Sequence, residues 1–220
     1  MNMRFLGRAI KILVVLLLVA AVGAMALPVQ LGMTGRSQYP TLPNGCEAVS
    51  AAAALSSLGA PVTAETFASQ YLPKAAFGSG ASPEDAYIGD PFGDGYYCYP
   101  RALTNGINSF LSTQQTRLKA HSHPFTTVSE LALRLHIQKK PLIVWTTVDG
   151  KTATRNEAIT WQVDGHDYHP YSNLHVVVLD GISGFRVHLV DSVNGDQWVS
   201  LFKFIPSYYS MGLRAISFTD

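Results

Sequence analysis

The run from Cys46 to Leu58, CEAVSAAAALSSL, contains neither Pro nor Gly, consists mostly of small side chains, and stops at Gly59. Ala has the highest helix propensity, and Gly just past a helical run is the favoured terminator. The predicted helix carries one charge, Glu47, and presents no broad polar stripe. A helix without a solvent-facing side is a buried helix. The rest of the chain must therefore supply surfaces that enclose it.

Those surfaces lie in the second half. Pro141 to Thr147 (PLIVWTT) reads as a buried strand. Leu174 to Leu179 and Phe185 to Val190 are β-rich runs joined by Asp180-Gly181-Ile182-Ser183-Gly184, a hairpin signal. Gln197 to Phe204 and Leu213 to Phe218 are read as two further strands. Before them, Thr63 to Tyr71, Tyr99 to Leu111 and Val128 to Lys139 have helical character. The last of these has apolar residues at Val128, Leu131, Leu135 and Ile137. Residues 73–98, rich in Gly, Pro, Asp and aromatics, are expected to form a long surface loop. Helices first and an antiparallel sheet second define an α+β class, the N-terminal helices packing on the C-terminal sheet.

The N-terminus has a separate logic. Arg4, Arg8 and Lys11 precede an uncharged apolar run from Ile12 to Leu27, and Ala24-Met25-Ala26 fits small-x-small cleavage. Residues 1–26 are therefore read as a signal peptide, or as an uncleaved membrane anchor. Either reading puts the domain outside the cytoplasm, secreted or held at a membrane. Residues 27–45 form an extended lead-in and 46–220 the folded domain. The net charge of +1, without a basic patch carrying interleaved aromatics, argues against nucleic acid as a partner.

Only two cysteines occur, Cys46 and Cys98. In an exported chain a disulfide between them is one reading. The other is a nucleophile. Cys46 follows Asn44-Gly45 and opens the Ala-rich helix, where unsatisfied backbone N–H groups and the positive end of the dipole favour a thiolate. A nucleophilic Cys needs a base, and the base needs an orienter. Among seven histidines, His175 stands at the start of an apolar strand, preceded by Tyr171 and Asn173. If the hairpin turn centres near Ser183, facing residue numbers sum to about 366 and pair His175 with Asp191. The competing His166 and His169 offer only two ligands, too few for a zinc site. His121 and His123 are expected to face solvent beside a Pro-containing loop, and His188 to be an ordinary strand residue. No metal and no cofactor are expected.

The segment Gln38-Tyr39-Pro40-Thr41-Leu42-Pro43-Asn44-Gly45-Cys46-Glu47-Ala48-Val49-Ser50 resembles the nucleophile segment of bacterial papain-like peptidases related to the double-glycine leader (bacteriocin-processing) peptidases. Pro141–Trp145, Asn173-Leu174-His175 and Asp191 follow in the order that family uses. So does the Gly- and Tyr-rich stretch Gly93–Pro100. The resemblance implies a papain-like fold and acyl transfer through Cys46, His175 and Asp191. It also implies that Gln38 donates its amide, with the Cys46 backbone N–H, to an oxyanion hole. A peptide or protein substrate follows, the peptide stem of a cell wall included. A transglutaminase or acyltransferase with the same residues, or a catalytically idle peptide-binding relative, are the alternative readings.

Overall fold

The computed structural model describes residues 27–220, together with Ile12 and Gly23. The expected signal or anchor segment therefore lies almost entirely outside the described residues. Among those described, no helix is long and apolar enough to cross a membrane.

Helices and strands are numbered in chain order. The Ala-rich run forms α1, Cys46–Ser57, buried from Cys46 through Ala52 and again at Ala54 and Leu55. Its small side chains let the backbone lie close on the sheet, and Ser50 Oγ donates to the carbonyl of Val176 at 3.0 Å. Three further helices match the sequence pattern to within about two residues. They are α2, Ala64–Gln70, capped by the Thr63 side chain; α3, Pro100–Ser112, with Pro at its start; and α4, Val128–Gln138. Helix α4 opens with a full capping box between Thr127 and Glu130.

The main sheet has seven strands: β1 (Val29–Gln30), β4 (Lys119–His123), β5 (Leu142–Thr147), β8 (Leu174–Ser183), β9 (Arg186–Val190), β10 (Gln197–Ser200) and β11 (Ala215–Thr219). The order is β10-β9-β8-β5-β11-β4, with β1 on the far half of β8, and every pairing is antiparallel. Along β5 and β8, Ile143, Trp145, Val176 and Val178 enter the core shared with α1, α2 and α3. Leu142, Val144, Val177 and Leu179 enter a second core under α4 and the C-terminal helix. With both faces covered, these strands read as continuous apolar runs without alternation.

Three expectations need correction. The strand expected over Gln197–Phe204 ends at Ser200, and α5, Leu201–Ser210, follows. Leu201, Phe204 and Tyr208 carry the helical spacing, and Ser200 caps the start by accepting from the Phe202 N–H at 3.2 Å. The stretch 73–98 is not simply surface. It contains a parallel pair, β2 (Lys74–Ala75) and β3 (Tyr87–Ile88), and buries Tyr87, Ile88, Tyr97 and Cys98. Tyr87 and Tyr97 pack inward while Phe77 and Phe92 stay exposed, and burial of the two tyrosines outweighs the local turn signals. On β4 His121 is exposed as expected and His123 is half-buried, and their rings hydrogen-bond to Thr219 and Ser217 of β11. Finally, the β8–β9 hairpin turns through Gly184-Phe185, pairing Ser183 with Arg186, and a bulge at Asp180 shifts the register to Leu179 with Leu189. Asp191 thus lies just beyond the paired strand and is not directly opposite His175. The small hairpin of β6 (Trp161–Val163) and β7 (His166–Tyr168) was legible in Asp164-Gly165, both at positive φ, the favoured chemistry for a two-residue turn.

Candidate active site

Asp191 and His175 meet despite the register shift. His175 Nε2 lies 2.7 Å from Asp191 Oδ1, and both side chains are buried. The same oxygen accepts the backbone N–H groups of Val193 (2.8 Å) and Asn194 (3.0 Å), and Asn194 Nδ2 donates to Oδ2 at 3.0 Å. Burial alone would raise the Asp191 carboxyl. The hydrogen bond and charge of His175, with the two backbone N–H groups, outweigh it and hold the group well below the usual carboxylate range. An aspartate fixed on Nε2 selects the imidazole tautomer and leaves Nδ1 as the available nitrogen.

Cys46 begins α1 beside the backbone of Val176, the residue after His175. Gly45 is the N-cap and supplies no side-chain cap, which leaves the Cys46 N–H at the helix start uncapped by a side chain. A Cβ at position 45 would lie 2.7 Å from Leu42 Cβ, so the turn into the helix needs glycine for space. The thiol itself differs from the sequence expectation. Burial first, then the neighbouring Glu47 carboxylate, push Cys46 well above the ordinary thiol range, while a hydrogen bond from the Val176 backbone pulls the other way. Cys46 is only 8% exposed, and its sulfur donates to Glu47 Oε2 at 3.3 Å. The helix-start effect is real but smaller than desolvation. Both Cys46 and Cys98 are free thiols, so the disulfide reading does not describe this structure.

Gln38 is buried in the lead-in and ties the two halves of the site together. Its backbone N–H donates to Ser192 O (3.1 Å), its Oε1 accepts from Ser192 Oγ (2.7 Å), and its Nε2 donates to Pro43 O (2.8 Å). Ser192 follows Asp191 and Pro43 precedes the Cys46 turn, so Gln38 spans from the carboxylate loop to the nucleophile loop. An amide nitrogen carries two N–H donors, and one of them is committed to Pro43. A cavity of about 520 Å³ opens on this side, bordered by Gln38, Leu42, Val49, Ala53 and Glu65. A second, of about 340 Å³, reaches Asp191 from the other side and is bordered by Thr147, Asn194, Lys203 and Ser207.

Several residues of the site were not picked out from the sequence. Ser192 anchors Gln38, Tyr87 Oη donates to Asn44 O at 2.5 Å beside the nucleophile turn, and Trp145 Nε1 donates to Cys98 O at 2.9 Å. Each acts through a partner distant in sequence, so local patterning carries no signal for it. His188, expected to be an ordinary strand residue, forms a second buried pair, its Nδ1 2.5 Å from Asp180 Oδ1, while Asp180 Oδ2 accepts the Met33 N–H at 2.9 Å. That pair fastens the lead-in to the sheet. His166 and His169 do not join the site. His169 Nδ1 contacts Ile159 O at 3.2 Å and lies 3.7 Å from Glu157. Among the described residues, no three His, Cys, Asp or Glu side chains gather where they could hold a metal ion.

Among the described residues, five helices around a mostly antiparallel sheet make an α+β papain-like fold. Residues 30–216 match the Peptidase_C39 like family, and the chain belongs to that family. Among solved structures it resembles a protein from Bacillus anthracis described as a C39-like peptidase. The two are 24% identical with a TM-score of 0.75, over 88% of this chain and 98% of that one. A double glycine motif protease from an AMS/PCAT transporter, solved with its leader peptide, is 17% identical with a TM-score of 0.46, covering 87% and 96% of the two chains. Xylellain, a cysteine protease from Xylella fastidiosa, is 12% identical with a TM-score of 0.42, covering 90% and 86%. No curated protein matches the chain.

Proposed function

We propose that this chain is an exported cysteine peptidase in which Cys46 is the nucleophile, His175 its base, Asp191 the orienting carboxylate and Gln38 an oxyanion donor. The observation that carries the reading is the buried His175–Asp191 pair at 2.7 Å beside the start of α1, with Gln38 bonded to the residue after Asp191. Membership of a peptidase family supports the reaction class.

The thiol proton passes to His175 Nδ1 as the sulfur attacks the substrate carbonyl. The resulting oxyanion lies against the Cys46 backbone N–H and the Gln38 amide. His175 then returns the proton to the leaving amine as the C–N bond breaks, leaving a thioester on Cys46. Water, deprotonated by the same imidazole, attacks the thioester and restores the thiol. The apolar run Ile12–Leu27 supports action outside the cytoplasm on a secreted peptide, a surface protein or a cell-wall peptide.

The test is incubation of the purified protein with a mixed peptide library, followed by mass spectrometry, alongside Cys46→Ala. New termini that need Cys46 are expected. Crosslinked or transferred products in place of hydrolysis would mark an acyltransferase, and no products with wild type would mark a peptide-binding relative.

A further inference from the structure

The acyl-transfer scheme gives no task to Glu47, although its carboxyl touches the reacting sulfur. Glu47 is 0% exposed in the first turn of α1. Its Oε2 lies 3.3 Å from Cys46 Sγ, and its Oε1 accepts the Cys98 backbone N–H at 2.9 Å. The carbonyl of Cys98 is in turn held by Trp145 Nε1. The carboxyl therefore has no freedom to swing away: one oxygen is pinned by the backbone that leads into α3, and the other faces the thiol. Burying a carboxyl here is costly unless its charge is balanced or removed.

The ionisable groups that face it are Cys46 on its own helix, Cys98 before α3, and Tyr87 on β3. The other groups acting on it are backbone N–H donors of Cys98 and Glu47 itself, and none of these is a cation. Burial raises the carboxyl, the hydrogen bonds only partly opposing it, to about 7.

A carboxyl fixed 3.3 Å from a nucleophilic sulfur must act in one of two opposite ways. As a carboxylate it repels a thiolate and accepts the thiol proton. As a neutral acid its O–H points at the sulfur and stabilises the thiolate. Resting on the reading of Cys46 as nucleophile, we propose that Glu47 is a positioning residue that in its neutral form donates Oε2–H to the Cys46 thiolate and in its charged form keeps the thiol at rest. One proton taken up from solvent converts the carboxylate to the acid. The thiol's own proton then goes to His175, the S–H electron pair stays on sulfur, and the Glu47 O–H bond remains intact through attack.

The experiment measures the alkylation rate of Cys46 by iodoacetamide between pH 5 and 8.5, located by peptide mass spectrometry, in wild type and in Glu47→Gln. An ordinary thiol speeds up about tenfold per pH unit below its own pKa. The wild-type rate is expected instead to pass through a maximum and fall above pH 7, since at pH 8 only about one tenth of Glu47 would remain neutral. Glu47→Gln keeps the oxygen for the Cys98 N–H and presents a permanent N–H donor. Its rate at pH 8, relative to pH 6, is expected to exceed that of wild type by roughly tenfold. Glu47→Ala, which loses both contacts, is expected to be slow at either pH. The wild-type profile alone is decisive if the variants do not fold: a rate rising steadily to pH 8.5 overturns the proposal. A Glu47→Gln profile parallel to wild type, or slowed by one factor at every pH, overturns it too and leaves Cys46 as nucleophile. If Cys46 is unlabelled at every pH in both proteins and peptides remain uncut, the nucleophile reading itself fails and takes this proposal with it.

Discussion

Replacing Asp191 separates its charge from its shape. The carboxylate accepts from His175 Nε2, from the N–H groups of Val193 and Asn194, and from Asn194 Nδ2. Val193 is half-buried and Asn194 exposed, so water can replace their bonds in Asp191→Ala. His175 Nε2 is buried, and its lost charge-assisted bond sets the cost, about 3 kcal/mol. For a chain of this size that lowers Tm by about 6–12 °C. In activity, losing about 1.5–3 kcal/mol of imidazole orientation gives a fall in kcat/KM of roughly 10–10²-fold. Asp191→Asn keeps an oxygen for His175 Nε2 and the backbone donors but loses the charge, so it should recover only part of the Tm while leaving the rate low.

The pH dependence has a fixed sign. Asp191 is held below the usual carboxylate value, so its contribution to stability is fully present above about pH 4 and is lost as pH falls through the folded value. The Tm gap between wild type and Asp191→Asn should be flat from pH 5 to 8 and close on acidification below about pH 4. Thermal unfolding monitored by circular dichroism, with peptide hydrolysis at pH 7, measures both effects. An Asp191→Asn enzyme as fast as wild type, or an Asp191→Ala protein with unchanged Tm, would refute this reasoning.

His175→Ala should abolish hydrolysis, and adding Cys46→Ala should make it no worse, because residues that act as one unit are not additive; a double variant far below either single one would indicate separate roles. Gln38→Ala should lower kcat about 10²–10³-fold with little change in KM, since the oxyanion forms only in the transition state; a rise in KM alone would assign Gln38 to ground-state binding. Gly45→Ala places a methyl 2.7 Å from Leu42 Cβ, and overpacking there should cost about 1–3 kcal/mol and displace the Cys46 N–H. A variant with wild-type Tm and kcat would show that the turn has room.

Three helices could be read locally to within about two residues. The Ala-rich run needed burial whatever its partner, and Thr63, Thr127 with Glu130, and Pro100 mark three helix starts by chemistry within one turn. The apolar runs of β5 and β8 already implied a strand covered on both faces. The class of fold was legible in the order of residues, and so was the choice of Cys46, His175, Asp191 and Gln38 as candidates. Where short-range signals conflicted, tertiary packing decided. Ser200 ended a strand and began α5, and Tyr87 and Tyr97 turned a polar, Gly-rich stretch inward. The bulge at Asp180 moved the hairpin register, yet Asp191 still reached His175 because its loop is held by Val193, Asn194 and Gln38 through Ser192. Thiol chemistry was the least legible property. A helix start favours a thiolate, but the sign of the net effect depends on how much water remains. Only the folded chain fixes that, by closing Cys46 against Glu47 and the Val176 backbone.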